Sequence, residues 1–238
     1  MDRKPDLEEG WHPKPDSLLW RTIKISIVVL FIAGLLHLSG IYQTLFYSKT
    51  SDRVQQKVLE SLVQAETLTV PISVFIVSGN ENLGSERNAD DVSVMVEKAS
   101  RIWNQAKINI TLVKVKELKL SEEEINVFYQ YPGEFLNALP EFDINLTTVM
   151  LIKHLRGING LAFGGARSIA VADYTASYDF RVFAHEVGHI LGLEHVSSKS
   201  SLMYSGSNGV LLSMEEVLSA RETAELYFSA LAEDKPKR

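Results

Sequence analysis

The feature of this sequence that most constrains its fold is the segment HEVGHILGLEH at 185–195. His185 and His189 are four residues apart, so on a helix both imidazoles project from one face and can reach a single metal ion. Gly192 follows one turn after the second histidine, where a glycine can adopt a positive φ, end the helix and turn the chain sharply. That turn brings His195 back as a third ligand. The segment therefore predicts a helix, a turn and a three-histidine zinc site.

The ligand set predicts a catalytic rather than a structural zinc site, because three neutral imidazoles leave the fourth position of a tetrahedral ion open. Glu186 lies beside the first ligand and is expected to act as general base toward an attacking water. The alternative is a helix that carries histidines on a solvated face, but it leaves the coincidence of Glu186, Gly192 and His195 unexplained. The chain contains no cysteine, which excludes disulfides, thiolate zinc sites, iron–sulfur clusters and thiol nucleophiles.

Composition narrows the class of protein further. The chain has 238 residues, of which 45% are hydrophobic and 23% are charged, as in a packed globular protein rather than a mainly disordered one. Its net charge of -6 argues against a general nucleic-acid binder, since such a protein needs a basic face to neutralise phosphates.

A long uncharged stretch near the N-terminus predicts a membrane anchor. Residues 25–48 contain no Lys, Arg, Asp or Glu, and about 20 helical residues suffice to cross a bilayer. We interpret 25–47 as an uncleaved transmembrane signal anchor. A cleaved signal peptide is the alternative, but no good pair of small residues follows the apolar run at a cleavage site. Five basic residues precede the stretch and three follow it closely, which predicts a cytoplasmic N-terminus and an extracytoplasmic remainder.

The rest of the chain divides around this span. We predict a polar tail over 1–24, an amphipathic juxtamembrane helix or stalk over 48–68, a compact domain over 69–232 and a polar tail over 233–238. The amphipathic helix could be a spacer, a dimerising stalk or a cover on the domain that follows.

Within 69–232 the patterns predict a mixed order of helices and strands around a twisted sheet, and therefore an α+β fold. Apolar or alternating runs predict strands at 70–77, 108–115, 147–153, 160–166 and 168–172. Helical periodicity and capping signals predict helices at 88–106, 121–136, 179–192 and 213–231. The first strand, helix and strand predict a parallel pair with a right-handed crossover.

The 185–195 segment, together with SLMY at 201–204, resembles the metzincin zinc peptidases, which join this motif to a downstream Met-turn, and most closely their matrixin branch. The resemblance implies a twisted mixed sheet, a zinc-site helix, a Met-turn with Met203 beneath the metal, and a C-terminal helix. It also implies one catalytic Zn²⁺ and a peptide or protein substrate. Val196 and Ser205 stand where matrixins usually have serine and proline.

Substrate contacts are also implied by the resemblance. In metzincins the edge strand before the zinc helix pairs with an extended substrate, which assigns that role to Gly160, Leu161, Ala162, Phe163 and Gly164. The glycines of this stretch could instead only mark tight turns.

The resemblance assigns two further residues to the S1′ pocket. Residues 204–212, which follow the Met-turn and begin with Tyr204, resemble its wall. Arg181 occupies a lining position, with a plain surface arginine as the alternative. A structural Ca²⁺ is compatible with the resemblance, but no ligand set for it or for a second zinc is evident. His154 could be an extra ligand or a surface histidine.

The sequence therefore predicts a hydrolase, namely a membrane-anchored zinc-dependent endopeptidase. Its expected partners are a peptide or protein substrate and, through the anchor, membrane lipid, but no nucleic acid. The alternative is a membrane-tethered binding or adhesion module that keeps the zinc without hydrolysis. The retention of Glu186 beside all three ligands favours the enzyme.

Overall fold

The fold was analysed in a computed structural model, which describes residues 59–79, 81–206 and 208–228 together with residues 22, 25, 26, 28–30, 56 and 57. The predicted C-terminal tail and most of the predicted N-terminal tail and membrane span lie outside these residues. Of the predicted stalk over 48–68, the described residues 56, 57 and 59–64 are helical. No helix in the described part of the chain is both long and apolar enough to cross a membrane.

A five-stranded mixed sheet forms the centre of the domain predicted over 69–232, with strand order β2-β1-β3-β5-β4. Strands β1, β2, β3 and β5 are parallel, whereas β4 runs antiparallel to β5 at the edge of the sheet. The strands are β1 (Leu68–Ser78), β2 (Ile108–Lys119), β3 (Thr147–Ile152), β4 (Gly160–Phe163) and β5 (Ser168–Ala172). This mixed sheet confirms the predicted α+β class and the parallel pairing of the first two strands.

Five helices follow β1 within the described ranges. They are α1 (Ala89–Trp103), α2 (Glu122–Gln130), α3 (Pro132–Ala138), α4 (Asp179–Ile190) and α5 (Met214–Phe228). The predicted single helix over 121–136 is wrong, because the chain breaks at Tyr131. A residue before proline is disfavoured in the α region, and Pro132 lacks the N–H that would continue the helix.

The predicted strand over 160–166 is also shorter than expected. It ends at Phe163, and a single 3₁₀ turn over Gly164–Ala166 follows. Arg167 has a φ of 42° at the end of this turn, and the chain then enters β5 in the opposite direction. The reversal creates the short antiparallel pair at the sheet edge, so the two glycines serve the turn.

Two apolar cores lie on opposite faces of the sheet and fix the position of α4. One core joins the sheet to α1, α4 and α5, and the other joins it to α2 and α3. Helix α4 packs on α1 and across β4 and β5. Trp103 of α1 is fully buried and donates a hydrogen bond from Nε1 to the carbonyl of Ala184 at 3.1 Å. The predicted zinc helix is thus held beside the edge strand.

Candidate metal centre and active-site cleft

Helix α4 and the turn after it bring the three predicted histidine ligands together. His185 and His189 lie on the helix, which ends at Ile190. Gly192 has a φ of 80° and donates its N–H to the carbonyl of His189, as a sharp helix end requires. The chain then returns and places His195 against the other two rings.

The three side chains converge through their Nε2 atoms. His195 Nε2 lies 3.0 Å from that of His185 and 3.2 Å from that of His189. A tetrahedral Zn²⁺ with Zn–N bonds of about 2.0–2.1 Å would hold these atoms about 3.3 Å apart. Within the described residues this is the one group of three or more metal-ligating side chains. The spacing therefore fits one zinc ion.

Backbone carbonyls fix the tautomers of the two helical ligands. His185 Nδ1 lies 2.7 Å from the carbonyl oxygen of Leu202, and His189 Nδ1 lies 2.8 Å from that of Leu193. A carbonyl can only accept, so each Nδ1 carries the proton and each Nε2 presents a lone pair. Two Nε2 lone pairs directed at one point need a cation between them, which supports the metal site.

The electrostatics of the site keep these ligands neutral. Burial lowers the pKa of His185 to about 4, and burial also lowers the pKa of His189. Neutral imidazoles bind metal, whereas imidazolium does not.

The general-base candidate lies in the same cleft. Glu186 is only 6% exposed, and burial raises the pKa of its carboxyl to about 7 against an opposing effect of Arg181. A carboxylate with a raised pKa is a stronger proton acceptor than a solvated one, which suits general-base chemistry near neutral pH.

Met203 lies directly under the zinc helix. Its side chain is fully buried, and its sulfur fills the space beside Gly188, where an added Cβ would lie 2.4 Å from the sulfur. Its carbonyl accepts the N–H of Val196, the residue after the third histidine. The interior glycine of HEVGH was missed as a functional residue in the sequence, although a glycine inside a helix is a signal of close packing.

A cleft of about 640 Å³ contains the three histidines and Glu186. Four of the predicted substrate-binding residues line it, namely Gly160, Leu161, Ala162 and Arg181. Three others do not: Phe163, whose ring packs on Phe128 with centroids 5.2 Å apart, Gly164 and Tyr204. Two further lining residues, Ser205 and Gly206, belong to the stretch that the resemblance assigned to the S1′ wall. Five others had no signal in the sequence, namely Gly157, Ile158, Asn159, Ser177 and Val182.

Arg181 lines the cleft, but it does not match the alternative of a plain surface arginine. It is not a surface residue, because it is only 3% exposed. Its guanidinium bonds to backbone carbonyls of the Met-turn and of the segment after it. His154 is exposed and stacks on Tyr174 with ring centroids 5.4 Å apart, outside the histidine cluster.

The edge strand β4 presents free backbone groups to the cleft. Asn159 accepts the N–H of Ala172, so hydrogen-bonded pairs with β5 fall on alternate residues from Asn159 to Leu161. The N–H and C=O groups of Gly160 and Ala162 therefore point away from β5. These groups are available for a second extended chain.

Because Gly160 has no side chain, Glu186 can occupy the space beside it. This contact gives a testable prediction. A Cβ at Gly160 would lie 2.7 Å from Glu186 Oε1 and 2.8 Å from its Cγ. We expect Gly160→Ala to displace the carboxylate and to lower kcat/KM about 10-fold or more, because small misplacements of reacting groups slow catalysis strongly. Peptide-hydrolysis kinetics check this. Gly165→Ala is the matched control, since a Cβ there meets nothing within 4 Å, and equal activities of the two variants would contradict the prediction.

Comparisons with known proteins place this geometry among zinc peptidases. The family model described as Matrixin matches residues 76–217, more than half of the chain. No protein of curated function matches the sequence. The family match includes the three histidines, Glu186 and Met203.

Solved structures share parts of the fold at low sequence identity. Metalloproteinase-II from Bacteroides fragilis is 15% identical, with a TM-score of 0.47 over 67% of this chain and 54% of that chain. A mutant of promirolysin from Tannerella forsythia is 13% identical, with a TM-score of 0.49 over 81% of this chain and 93% of that chain. Archaemetzincin from Methanopyrus kandleri is 18% identical, with a TM-score of 0.39 over 66% of this chain and 93% of that chain. The chain thus spans about half of the length of the Bacteroides protein.

Proposed function

The chain belongs to the matrixin family of zinc metallopeptidases, and from that premise we propose that it is a membrane-anchored endopeptidase with Glu186 as general base. The observation that carries the proposal is the placement of this carboxylate in the cleft where three histidine Nε2 atoms converge. The family match supports the proposed reaction class, and the cleft geometry supports the roles proposed for individual residues.

His185, His189 and His195 would hold the zinc ion, which when bound supplies a Lewis acid that polarises a carbonyl and acidifies water. Glu186 accepts a proton from the attacking water and passes it to the departing amine, work worth roughly 10²–10⁴ in rate. The buried position of Glu186 limits competition from solvent for that proton. The residues present thus provide both a metal site and a proton carrier.

The substrate is proposed to bind as an extended peptide beside β4. The free N–H and C=O groups of Gly160 and Ala162 can form a ladder with it, as in other cases of strand addition. The absence of a side chain at Gly160 lets Glu186 lie directly against the strand that would pair with the substrate. This arrangement would place a peptide bond next to the histidine cluster.

Metal removal tests the proposed activity. We expect the purified full-length chain, solubilised in detergent, to degrade a denatured protein, to lose all activity with a chelator and to regain it with Zn²⁺. The melting temperature should fall on chelation, because the metal binds only the folded site. A chain that binds zinc and melts higher with it, yet cleaves no peptide, would instead be the binding or adhesion module.

Membrane anchoring is a separate part of the proposal, supported by residues 25–48, which carry no charge. The described residues 25, 26 and 28–30 are helical, and the apolar ones among them are more than half exposed. Apolar helical surface of this kind is stable in lipid rather than in water. The excess of basic residues before the stretch favours a cytoplasmic N-terminus.

Protease accessibility checks this topology. Protease added to intact cells or spheroplasts should digest a tag after Arg238 and spare a tag before Met1. The reverse pattern would place the peptidase in the cytoplasm. Release of the tagged C-terminal part into the medium would show instead that the apolar stretch is a cleaved signal peptide.

A further inference from the structure

Arg181 is a buried cation whose environment differs from that of an ordinary ion pair. It is 3% exposed, and within the described residues no salt bridge joins it to a carboxylate. A buried guanidinium is unfavourable unless its N–H groups are satisfied. The hydrogen-bond partners of the Arg181 guanidinium therefore indicate the structural role of this residue.

Those partners are three backbone carbonyls in the segment after the third histidine. Nη2 donates to the carbonyls of Leu202 and Tyr204, both at 2.6 Å, and Nε donates to that of Gly209 at 3.1 Å. The two carbonyls at 202 and 204 flank Met203. The planar fork of one side chain thus joins the zinc helix to both ends of the segment 202–209.

One of these carbonyls is shared with a zinc ligand. The Leu202 oxygen that accepts from Arg181 also accepts from His185 Nδ1 at 2.7 Å. Arg181 lies one helical turn before His185 on α4, so both donors approach the oxygen from the same helix. The position of that oxygen sets the orientation of the imidazole and hence the direction of its Nε2 lone pair.

We propose that Arg181 is a positioning residue that fixes the segment 202–209 on the zinc helix and, through the Leu202 carbonyl, orients His185 toward the metal. The inference rests on the zinc-dependent function proposed above. It assigns Arg181 a role inside the protein in addition to the lining position that the sequence resemblance implied. Outer partners of metal-ligating histidines typically change metal affinity 10- to 100-fold when they are removed.

The test compares Arg181→Met with a matched variant elsewhere in the full-length chain. Arg221 is also buried and also donates to backbone carbonyls, those of Ala106, Lys107 and Glu66, none of which belongs to the segment 202–209. We expect Arg181→Met to weaken Zn²⁺ binding at least 10-fold in a competition assay with a chromophoric chelator. Arg221→Met should lower the melting temperature and leave the zinc affinity unchanged.

A second measurement locates the effect. Amide hydrogen exchange over 202–209 should accelerate in Arg181→Met and stay at the wild-type rate in Arg221→Met. Should the methionine variant fail to fold, Arg181→Lys decides the question. The single nitrogen of an ammonium cannot occupy the positions of both Nε and Nη2, so this variant should weaken zinc binding several-fold.

Wild-type zinc affinity in a folded Arg181 variant would overturn the inference, as would an equal loss in Arg221→Met. The readout is separate from hydrolysis. A wild-type chain that binds zinc without cleaving peptides would refute the proposed activity, while the affinity comparison would still decide the role of Arg181.

Discussion

Replacing Glu186 with glutamine is expected to leave the fold and zinc binding intact and to lower peptide hydrolysis by roughly 10² to 10⁴. The substitution keeps the shape of the side chain and removes only its capacity to accept a proton. Because Glu186 is buried, removal of its charge should not destabilise the protein. Single-turnover hydrolysis of a fluorogenic peptide, together with zinc content and melting temperature, measures all three properties.

His189→Ala separates loss of the base from loss of the metal. This variant should lose both hydrolysis and tight zinc binding, since one of three converging nitrogens is absent. Near-wild-type turnover by Glu186→Gln would show that another group carries the proton. Loss of zinc from the glutamine variant would show that the carboxylate supports the metal site as well.

The zinc ligands could be predicted from sequence because their geometry is local. The i, i+4 spacing of two histidines and a glycine that ends the helix determine most of the site before any tertiary contact forms. The strand pairing of β1 and β2 was predictable for a similar reason, since a helix joins two apolar runs. The break at Tyr131 was missed, although the proline that follows it is a signal for such a break.

The substrate cleft was less predictable, because it depends on contacts between distant segments. Phe163 and Gly164 lie in the stretch expected to bind substrate, but the 3₁₀ turn that begins at Gly164 directs Phe163 into the second core. The burial of Arg181 depends on where the segment 202–209 returns to α4, which local periodicity does not encode. The same holds for Gly188, whose importance appears only when the Met203 sulfur is placed beside it.

That contact leads to the prediction with the largest expected effect on stability. Met203 is fully buried between the zinc helix and the core that contains Trp103 and Leu202. We expect Met203→Asp to unfold the site, since a carboxylate at this buried position must be desolvated or protonated. The loss in the free energy of unfolding should be about 4 kcal/mol or more, in the range of the most damaging core substitutions.

Met203→Leu is the control, because it preserves apolarity and approximate volume and should cost less than about 1.5 kcal/mol. The leucine variant should keep its zinc and most of its hydrolysis, since the thioether sulfur contacts Gly188 rather than the cleft. Chemical denaturation of both variants with and without Zn²⁺ gives the comparison. An aspartate variant with wild-type stability and activity would mean that Met203 does not pack under the zinc helix, whereas a leucine variant that folds but loses zinc would give the sulfur a role beyond packing.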